Sequence, residues 1–208
     1  MFTDLLRQRL AGVVELSPGQ VEALEAHYHL LLRWNRTLNL TSINRVEDAV
    51  ERHYCESLFL GTHLPQGCLR IADIGSGAGF PGFPVAVLRP DCFVTLIESH
   101  QRKGVFLREA SRNLPNVQVL ARRAEDVNEQ FDWAISRAVS YRDLASFLKN
   151  LAPNADLLTG GEAPPDGIGF VWQPPILAPW GGQRFLRIGH QERPLVTTPP
   201  GAEWVCFT

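Results

Sequence analysis

Apolar residues recur at helical spacing in the first sixty residues of the chain. Five of them would share one buried helix face: Val21, Leu24, Tyr28, Leu31 and Leu32. The Ser-Pro-Gly-Gln run at residues 17–20 is typical of a helix start, with a serine N-cap, a proline in the first turn and a glutamine that completes a capping box. A second start at residues 44–47 predicts a helix through Leu60. The sequence therefore predicts a helical region over residues 1–62, packed on the rest of the chain.

Beyond this region, short β-rich runs alternate with helical stretches. Six runs predict strands, the last two as closing strands: residues 71–74, 93–97, 117–120, 131–135, 170–172 and 184–188. Such alternation builds a mostly parallel, twisted sheet with helices on both faces. We therefore expect an α/β domain over residues 63–192, preceded by the helical region. The proline-rich residues 193–208 are expected to form a loosely ordered tail.

Composition restricts the class of protein. The 208 residues are 45% hydrophobic and 20% charged, as in ordinary globular domains, and the net charge of −2 provides no general basic field for nucleic acid. Arginine is concentrated near the predicted strand ends, where a local patch could contact RNA phosphates. No apolar run is long enough for a membrane span, and the first residues lack a signal-peptide pattern. The four cysteines have no paired spacing, so we expect free thiols in the cytoplasm and no metal site.

The most informative motif follows the first predicted strand. Residues 73–82 read Asp-Ile-Gly-Ser-Gly-Ala-Gly-Phe-Pro-Gly, an acid followed by a glycine-dense turn. Glycine permits positive φ and close approach to a ligand, so the turn predicts a nucleotide-like cofactor before the next helix. A dinucleotide fits less well, because Phe80 stands where its third glycine is expected, and a P-loop would need Gly-Lys-Ser/Thr. A glycine turn without a ligand is the remaining alternative.

Charges near this turn favour S-adenosylmethionine as the cofactor. The Asp73 carboxylate would repel a pyrophosphate but suits a ligand that carries an ammonium or a sulfonium. Glu98 ends the second predicted strand, where a carboxylate could hold a ribose, or could instead cap the next helix. Ala124 and Glu125 follow the third strand and could meet an adenine. Arg137 follows the fourth, so polar residues end neighbouring strands at the edge where α/β sheets bind ligands.

Motifs outside the glycine turn point to a known family. They read Trp-Asn-Arg-Thr-Leu-Asn-Leu-Thr at 34–41, Arg-His-Tyr-Cys-Glu-Ser-Leu at 52–58, Gln-Arg-Lys-Gly-Val-Phe-Leu at 101–107, Arg-Ala-Glu at 123–125 and Ser-Arg-Ala-Val-Ser at 136–140. With the glycine turn, they resemble the bacterial small-subunit ribosomal RNA guanine-N7 methyltransferases, also called the glucose-inhibited division protein B family. The resemblance covers nearly all of the chain to His190. It implies a Rossmann-like, S-adenosylmethionine-dependent methyltransferase fold and a guanine of the 16S RNA decoding region as substrate, in free RNA or in the small ribosomal subunit.

The resemblance also implies roles for single residues. On the cofactor, Gly75, Gly77 and Phe80 would line the methionine and adenosine side, Glu98 would hold the ribose, and Ala124 with Glu125 the adenine. Arg137 matches an arginine next to cofactor and substrate, with an ion pair at the sheet edge as its alternative role. Arg123 and Lys103 match basic positions suited to RNA phosphates or the target base.

Guanine N7 chemistry makes small demands on a protein. N7 has a lone pair and no proton to lose, so a direct in-line transfer would need alignment and electrostatics but no general base. The residues after the fourth strand contain neither the Asn/Asp-Pro-Pro-aromatic tetrapeptide of adenine amino-group methylation nor a cysteine for covalent C5-pyrimidine methylation. Arg137, whose planar fork could donate to the guanine edge, is the expected catalytic residue, with Arg123 as a second.

Two positions depart from the family pattern. Where the family has Leu-Lys-Gly after its own fifth strand, residues 157–161 read Leu-Leu-Thr-Gly-Gly, so Thr159 stands in place of the lysine. Glu56 replaces an aspartate. Loss of the lysine would weaken RNA binding unless an arginine such as Arg184 compensates. Two other functions therefore stay open: a methyltransferase of small molecules, and an S-adenosylmethionine-binding ribosome-assembly factor that no longer methylates. We expect a monomer.

Overall fold

The computed structural model describes residues 1–137, 139–165 and 169–192, so the expected tail at residues 193–208 lies outside the described residues. Within these ranges, the helices are α1 (Phe2–Leu10), α2 (Pro18–Asn35), α3 (Val46–Ala49), α4 (Glu56–His63), α5 (Gly82–Leu88), α6 (Gln101–Ser111), α7 (Tyr141–Ala145) and α8 (Leu148–Leu151). A π-helical segment (Val50–Cys55) joins α3 to α4, and a 3-10 turn (Ala124–Asp126) follows the third strand. None of the helices in these ranges is both long and apolar enough to cross a bilayer.

One sheet contains all the described strands. They are β1 (Arg70–Ile74), β2 (Phe93–Ile97), β3 (Val117–Leu120), β4 (Trp133–Arg137), β5 (Asn154–Thr159), β6 (Phe170–Trp172), β7 (Ile176–Leu177) and β8 (Phe185–Gln191). The order is β3-β2-β1-β4-β5-β8-β6, with β7 also on β8; strands β1 to β5 are parallel, and β8 is antiparallel to its neighbours. The α/β fold is confirmed. Because the strand order reverses at β1, its carboxyl end is the position where such sheets bind ligands.

Two apolar clusters cover the two faces of the sheet. One joins the N-terminal helices to the strands, for example Leu24 and Leu58 with Ile71. The other packs α7 and α8 on the opposite face, with Leu144 and Leu148 beside Ala134. Residues of the predicted helical region and of the sheet thus share one core, which holds the helices against the strand ends. The domain boundary at residue 62 stays a prediction.

The predicted start of α2 has the expected capping box. The Ser17 hydroxyl accepts a hydrogen bond from Gln20 N (3.3 Å), and Gln20 Oε1 accepts one from Ser17 N (2.8 Å). Gln20 Nε2 also donates to the carbonyl of Val87 at the end of α5 (3.0 Å). The cap therefore fixes α2 both locally and against the helix that follows the glycine turn.

We expect Ser17→Ala to lower the free energy of unfolding by about 1 kcal/mol, because it leaves a helix N–H without its acceptor. Urea unfolding followed by circular dichroism measures the change. Ser17→Asp is the matched control, since aspartate is an equally good N-cap and should keep the wild-type midpoint. Equal midpoints for the alanine variant and the wild type would contradict the capping role.

The helix predicted from residue 44 to residue 60 is interrupted. Its N-cap is Arg45, whose side chain makes no capping hydrogen bond, and α3 gives way after four residues to the π-helical segment Val50–Cys55. A π-helical segment rotates the following side chains relative to a regular helix, and such segments are frequent at functional sites. Here it contains His53 and Tyr54, both buried. Local periodicity did not predict this interruption.

The middle of β5 contains a buried carboxyl group without a partner among the described residues. Asp156 is fully buried, and both of its carboxyl oxygens lack a hydrogen-bond partner there, as does the indole Nε1 of Trp133. Burial raises the pKa of Asp156 to about 7, and the nearby indole of Trp133 offsets only part of this rise. Asp156 therefore favours the folded state when it is protonated and destabilises it when it is ionised.

We expect Asp156→Asn to stabilise the fold at pH 8 by on the order of 1–4 kcal/mol and to change it little at pH 4. The folded pKa lies above the ordinary aspartate value of 3.8, so the folded state binds more protons between about pH 4 and pH 7. Wild-type stability from this group consequently falls as pH rises through that window. Urea unfolding of both proteins at each pH measures the difference. The exposed Asp126→Asn is the control, and a pH-independent difference for Asp156→Asn would refute this account.

Candidate active site

The glycine turn after β1 is held close to the strand ends. Gly75, Gly77 and Gly79 have positive φ angles of 67°, 59° and 90°. At Gly75 a Cβ would also lie 2.8 Å from Cγ2 of Val139, so no other residue fits without movement. Ser76 N donates to the carbonyl of Ile97 on β2 (3.0 Å), which ties the turn to the neighbouring strand. The turn thus presents its backbone at the carboxyl ends of β1 and β2.

Asp73 lies beneath this turn. Its Oδ2 accepts hydrogen bonds from the Ser76 hydroxyl (2.6 Å) and from Gly82 N (3.0 Å), while its buried Oδ1 has no partner in the described part of the chain. Burial raises the pKa of Asp73 to about 7, and the bonds from Ser76 and Gly82 oppose that rise. The sequence predicts that the free N–H groups at the start of α5 face a ligand. In the structure the N–H of Gly82, the first residue of α5, donates to Asp73 instead. Oδ1 of Asp73 is therefore a buried acceptor whose hydrogen-bonding capacity is unused among the described residues.

Glu98 connects the glycine turn to the start of α6. Its Oε2 accepts a hydrogen bond from Gly77 N (2.9 Å), and its Oε1 accepts one from His100 N (2.7 Å). The carboxylate is 7% exposed. Because each carboxylate oxygen can accept more than one hydrogen bond, these contacts leave room for ribose hydroxyls. The structure therefore gives Glu98 a supporting role at the turn and is compatible with both roles considered for it.

A cavity of about 490 Å³ opens at the carboxyl ends of β1, β2 and β3. We call it the larger cavity; six of the residues that line it are Gly75, Ile97, Ser99, Arg123, Ala124 and Glu125. Ala124 and Glu125 belong to the 3-10 turn, and Arg123 is its N-cap. Small-molecule sites commonly occupy 300–1,000 Å³. The fold thus gathers residues from three strand ends around one space of suitable size.

Arg137 ends β4 beside the N-terminal helices. Its Nη1 donates to the carbonyl of Arg52 (2.6 Å) and to Nδ1 of His53 (2.7 Å). Its Cζ lies 5.2 Å from the centroid of the Phe80 ring. Burial lowers the pKa of this arginine to about 10, so it remains a cation at neutral pH. Within the described residues it makes no ion pair, which leaves the sheet-edge ion pair without support.

The ring of Phe80 is packed against the N-terminal helices. Its ring is 2% exposed, stacks on His53 (centroids 4.5 Å apart) and meets Tyr54 edge-on (5.1 Å). It lines neither the larger cavity nor the second one described below. The N-terminal helices therefore cover the ring. A contact between Phe80 and a cofactor stays a prediction.

A second cavity, of about 360 Å³, lies between the π-helical segment and the loops that follow β5 and β7. We call it the smaller cavity; residues that line it include Arg52, Glu56, Gly160, Trp180 and Arg184. Glu56 is buried, and its Oε2 accepts a hydrogen bond from Arg184 Nη2 at 3.1 Å. Arg184 is thus held by an ion pair, although 31% of its side chain remains exposed. This cation is only partly available to another anion.

Thr159 is the last residue of β5, and its neutral side chain does not supply the positive charge of the lysine found in the family. Its hydroxyl accepts a hydrogen bond from Nε of Arg187 on β8 (3.3 Å) and donates to the carbonyl of Gly160 (3.1 Å). Arg187 is 7% exposed and lies over the Phe185 ring (5.7 Å). The local charge at this strand end therefore comes from the neighbouring strand. Arg184 and Arg187 are both on or next to β8.

The two remaining basic candidates lie apart from Arg137. Arg123 is exposed on the wall of the larger cavity, which Arg137 does not line. Lys103 is half-buried on α6 and lines neither cavity. The structure therefore places Arg123 beside the expected adenosine site and does not bring it into contact with Arg137. Roles for Arg123 and Lys103 in binding RNA stay predictions.

His27 is a site residue whose role the sequence did not reveal. It is buried, its Nε2 lies 3.1 Å from the carbonyl of Ala78 in the glycine turn, and its Nδ1 lies 2.8 Å from the Tyr54 hydroxyl. A carbonyl only accepts, so Nε2 carries the proton and Nδ1 accepts from Tyr54. Burial lowers the pKa of His27 to about 3, so the ring is neutral, and its hydrogen bonds tie α2 to the turn.

Across the described ranges, no three His, Cys, Asp or Glu side chains lie close enough together to form a metal site.

Comparison with known proteins identifies the family. The family described as rRNA small subunit methyltransferase G matches residues 20–159. The chain belongs to this family. The ribosomal RNA small subunit methyltransferase G of Chromobacterium violaceum is 43% identical over 154 residues, which cover 72% of each chain. The protein of that name from Halorhodospira halophila is 41% identical over 160 residues, 74% of this chain and 75% of the relative.

Membership of this family confirms the predicted resemblance and the predicted enzyme class. The protein is a methyltransferase that acts on small-subunit ribosomal RNA.

Solved structures support the fold alone, because their sequences are distant. A ribosomal protein L11 methylase from Lactobacillus delbrueckii subsp. bulgaricus has a TM-score of 0.55 at 12% identity, covering 72% of this chain and 81% of its own. A SAM-dependent methyltransferase from Aquifex aeolicus has a TM-score of 0.53 at 14% identity, covering 70% and 93%.

Proposed function

We propose that this protein methylates N7 of a guanine in 16S ribosomal RNA by direct in-line transfer. The cofactor is S-adenosylmethionine. The observation that carries the proposal is that Arg137 lies next to both cavities without lining either: Val139, two residues on, lines the larger cavity, and Arg52, whose carbonyl accepts from Arg137, lines the smaller. We propose that the guanidinium of Arg137 contacts the ligands that occupy them. The larger cavity would hold the cofactor and the smaller one the target base.

The residues around the larger cavity fit S-adenosylmethionine. Gly75 lines this cavity with a positive φ of 67°, and because it has no side chain its backbone can approach a ligand closely. We assign Ala124 and Glu125, which line the cavity, to the adenine, and Glu98, which accepts from the glycine turn, to the ribose. Asp73 lies under the turn and does not line the cavity, but its Oδ1 is a buried acceptor without a partner among the described residues, and we assign it to the ammonium of the cofactor. A cation there would lower the raised pKa of Asp73 and keep its carboxylate ionised.

The chemistry requires orientation more than proton transfer. S-Adenosylmethionine, when bound, supplies an activated methyl group that a guanine N7 lone pair accepts without losing a proton. The protein must therefore align the base and stabilise charge around it. A guanidinium has five N–H donors, and two of those on Arg137 are used by Arg52 and His53, so three remain for ligands. We assign to these the orientation of the guanine edge.

The smaller cavity has the chemistry to select guanine. Glu56 and Arg184 form an ion pair in its wall, Arg52 adds a second cation, and Trp180 contributes an aromatic ring. A carboxylate accepts from the N1–H and the amino group of guanine, which adenine lacks in that arrangement, and arginines bind RNA phosphates. Single-stranded RNA bases are recognised in this manner on their Watson–Crick edges. We propose that a guanine turned out of the RNA enters here.

We also propose that the enzyme acts in the cytoplasm, as a monomer, on 16S RNA alone or in the small subunit. Methyl transfer from labelled S-adenosylmethionine to small ribosomal subunits and to protein-free 16S RNA tests the whole proposal. N7-methylguanine makes the RNA chain cleavable after reduction, so the modified base can be mapped. Label at one guanine N7 is expected. Label at another atom would overturn the N7 assignment, and absence of label with intact cofactor binding would favour a small-molecule substrate or a non-methylating assembly factor.

A further inference from the structure

A chain of hydrogen bonds leads from the N-terminal helices to Arg137. Nδ1 of His53 lies 2.7 Å from Nη1 of Arg137, and Nε2 of the same ring lies 2.8 Å from Oγ1 of Thr41. The Thr41 hydroxyl also accepts from Ile43 N (3.1 Å). Thr41 and His53 belong to the two N-terminal motifs of the family resemblance, and the proposed chemistry uses Arg52 and Glu56 of the second motif but gives neither Thr41 nor His53 a role towards the ligands. The chain links both motifs to the proposed catalytic arginine.

The directions of these bonds follow from the donors present. A guanidinium cannot accept, so His53 Nδ1 accepts from Arg137 and the ring proton lies on Nε2. Nε2–H then donates to Oγ1 of Thr41, because a ring N–H needs an acceptor and a hydroxyl oxygen provides one. Burial and the nearby charge of Arg137 lower the pKa of His53 to about 2, so the ring stays neutral. One neutral tautomer is therefore selected, and it presents its lone pair to Arg137.

Asn35 holds Thr41, the residue at the end of this series of hydrogen bonds farthest from Arg137. Its Oδ1 accepts from Leu40 N (2.8 Å) and Thr41 N (3.0 Å), and its Nδ2 donates to the carbonyl of Thr41 (2.9 Å). The backbone of Thr41 is thus bonded on both sides. At the other end, Phe80 lies under both partners, stacked on His53 at 4.5 Å and 5.2 Å from the Arg137 guanidinium. Little freedom remains for the His53 ring or for one side of the arginine.

We propose that His53, oriented by Thr41, is a positioning residue for Arg137 in the methyl transfer. This inference rests on the proposed function. Asn35 holds the backbone of Thr41, the Thr41 hydroxyl accepts from Nε2–H of His53 and so orients its ring, and His53 with the Arg52 carbonyl fixes one nitrogen of the guanidinium. The remaining donors of Arg137 then point in a constant direction. Displacement of a catalytic group by about 1 Å can cost on the order of 10²-fold in rate.

A double-mutant cycle tests the coupling. Thr41→Val removes the hydroxyl at nearly constant shape, and we expect kcat for small-subunit methylation to fall about 10-fold with the KM for S-adenosylmethionine unchanged. Thr41→Ser should restore kcat to within about twofold. In an Arg137→Lys background, Thr41→Val should cost less than about threefold, because lysine lacks the planar fork that His53 aligns. Losses that multiply independently, or an unchanged kcat for Thr41→Val, would overturn the proposal.

A second readout does not need activity. In ¹⁵N NMR spectra of the free wild-type protein at pH 7, the His53 ring should show an unprotonated Nδ1 and a protonated Nε2. The opposite tautomer or a charged ring would overturn the proposal even in an active enzyme. A wild type that fails to methylate any RNA would refute the proposed function and leave the NMR result on the His53 tautomer unaffected.

His190→Asn is the control for the kinetic measurements. His190 is bonded to Asn154 (2.8 Å) at the other end of β5, so its replacement should not affect kcat.

Discussion

Replacing Arg137 with alanine is expected to lower kcat for methyl transfer by at least roughly 10²–10³-fold, the usual cost of one preorganised donor. The variant removes the cation next to the two cavities and every donor assigned to the guanine edge. Binding of S-adenosylmethionine should change less, because Asp73, Gly75 and Glu98 are retained. Single-turnover methylation of small subunits, with calorimetric titration of the cofactor, measures both quantities.

Folding should survive this substitution. Alanine leaves the Arg52 carbonyl and His53 Nδ1 without a donor, which costs about 1–3 kcal/mol. Part of that cost is offset because the variant no longer desolvates a cation, the cause of the lowered pKa of Arg137. Arg7→Ala, an exposed arginine in the last turn of α1, is the matched control and should keep wild-type turnover. Full turnover of Arg137→Ala would remove this residue from the mechanism.

We expect Gly82→Ala to disrupt the cofactor site and to cost about 1–3 kcal/mol or more in the free energy of unfolding. A Cβ there would overlap Cδ2 of Leu96 and lie 2.5 Å from Oδ2 of Asp73. Both neighbours are buried strand residues, so they cannot move aside cheaply. Displacement of Asp73 would break its bonds to Ser76 and Gly82 and shift the glycine turn. Affinity for S-adenosylmethionine should fall at least about tenfold, as calorimetry would measure.

The contrast with another glycine isolates this effect. At Gly19, in the first turn of α2, a Cβ would meet no atom of the described residues within 4 Å, and Gly19→Ala should keep cofactor affinity with equal or slightly higher stability. Urea unfolding separates a general loss of folding from a local loss of binding. If Gly82→Ala bound the cofactor as tightly as the wild type, the packing of Asp73 would not be needed for the site.

Several features were predictable because they depend on residues close together in the chain. The capping box of Ser17 and Gln20 spans three residues, and the glycine turn follows directly from a strand that ends in an acid. Strand–helix alternation predicted the α/β fold, and the motifs around the turn predicted the family. The residue types at the strand ends also predicted which side chains, Glu98, Ala124, Glu125 and Arg137, lie at the carboxyl edge of the sheet.

The sequence by itself thus determined the fold class, the family and the edge of the sheet where the site lies. Only the tertiary structure decided which side chains meet there. The bond from Arg137 to His53 joins residues 84 positions apart, and the pair of Glu56 with Arg184 joins residues 128 apart. Likewise, Phe80 is covered by helices that precede it by many residues. Such contacts depend on how the helices pack across the strand ends, and no local periodicity or motif spacing contains that information.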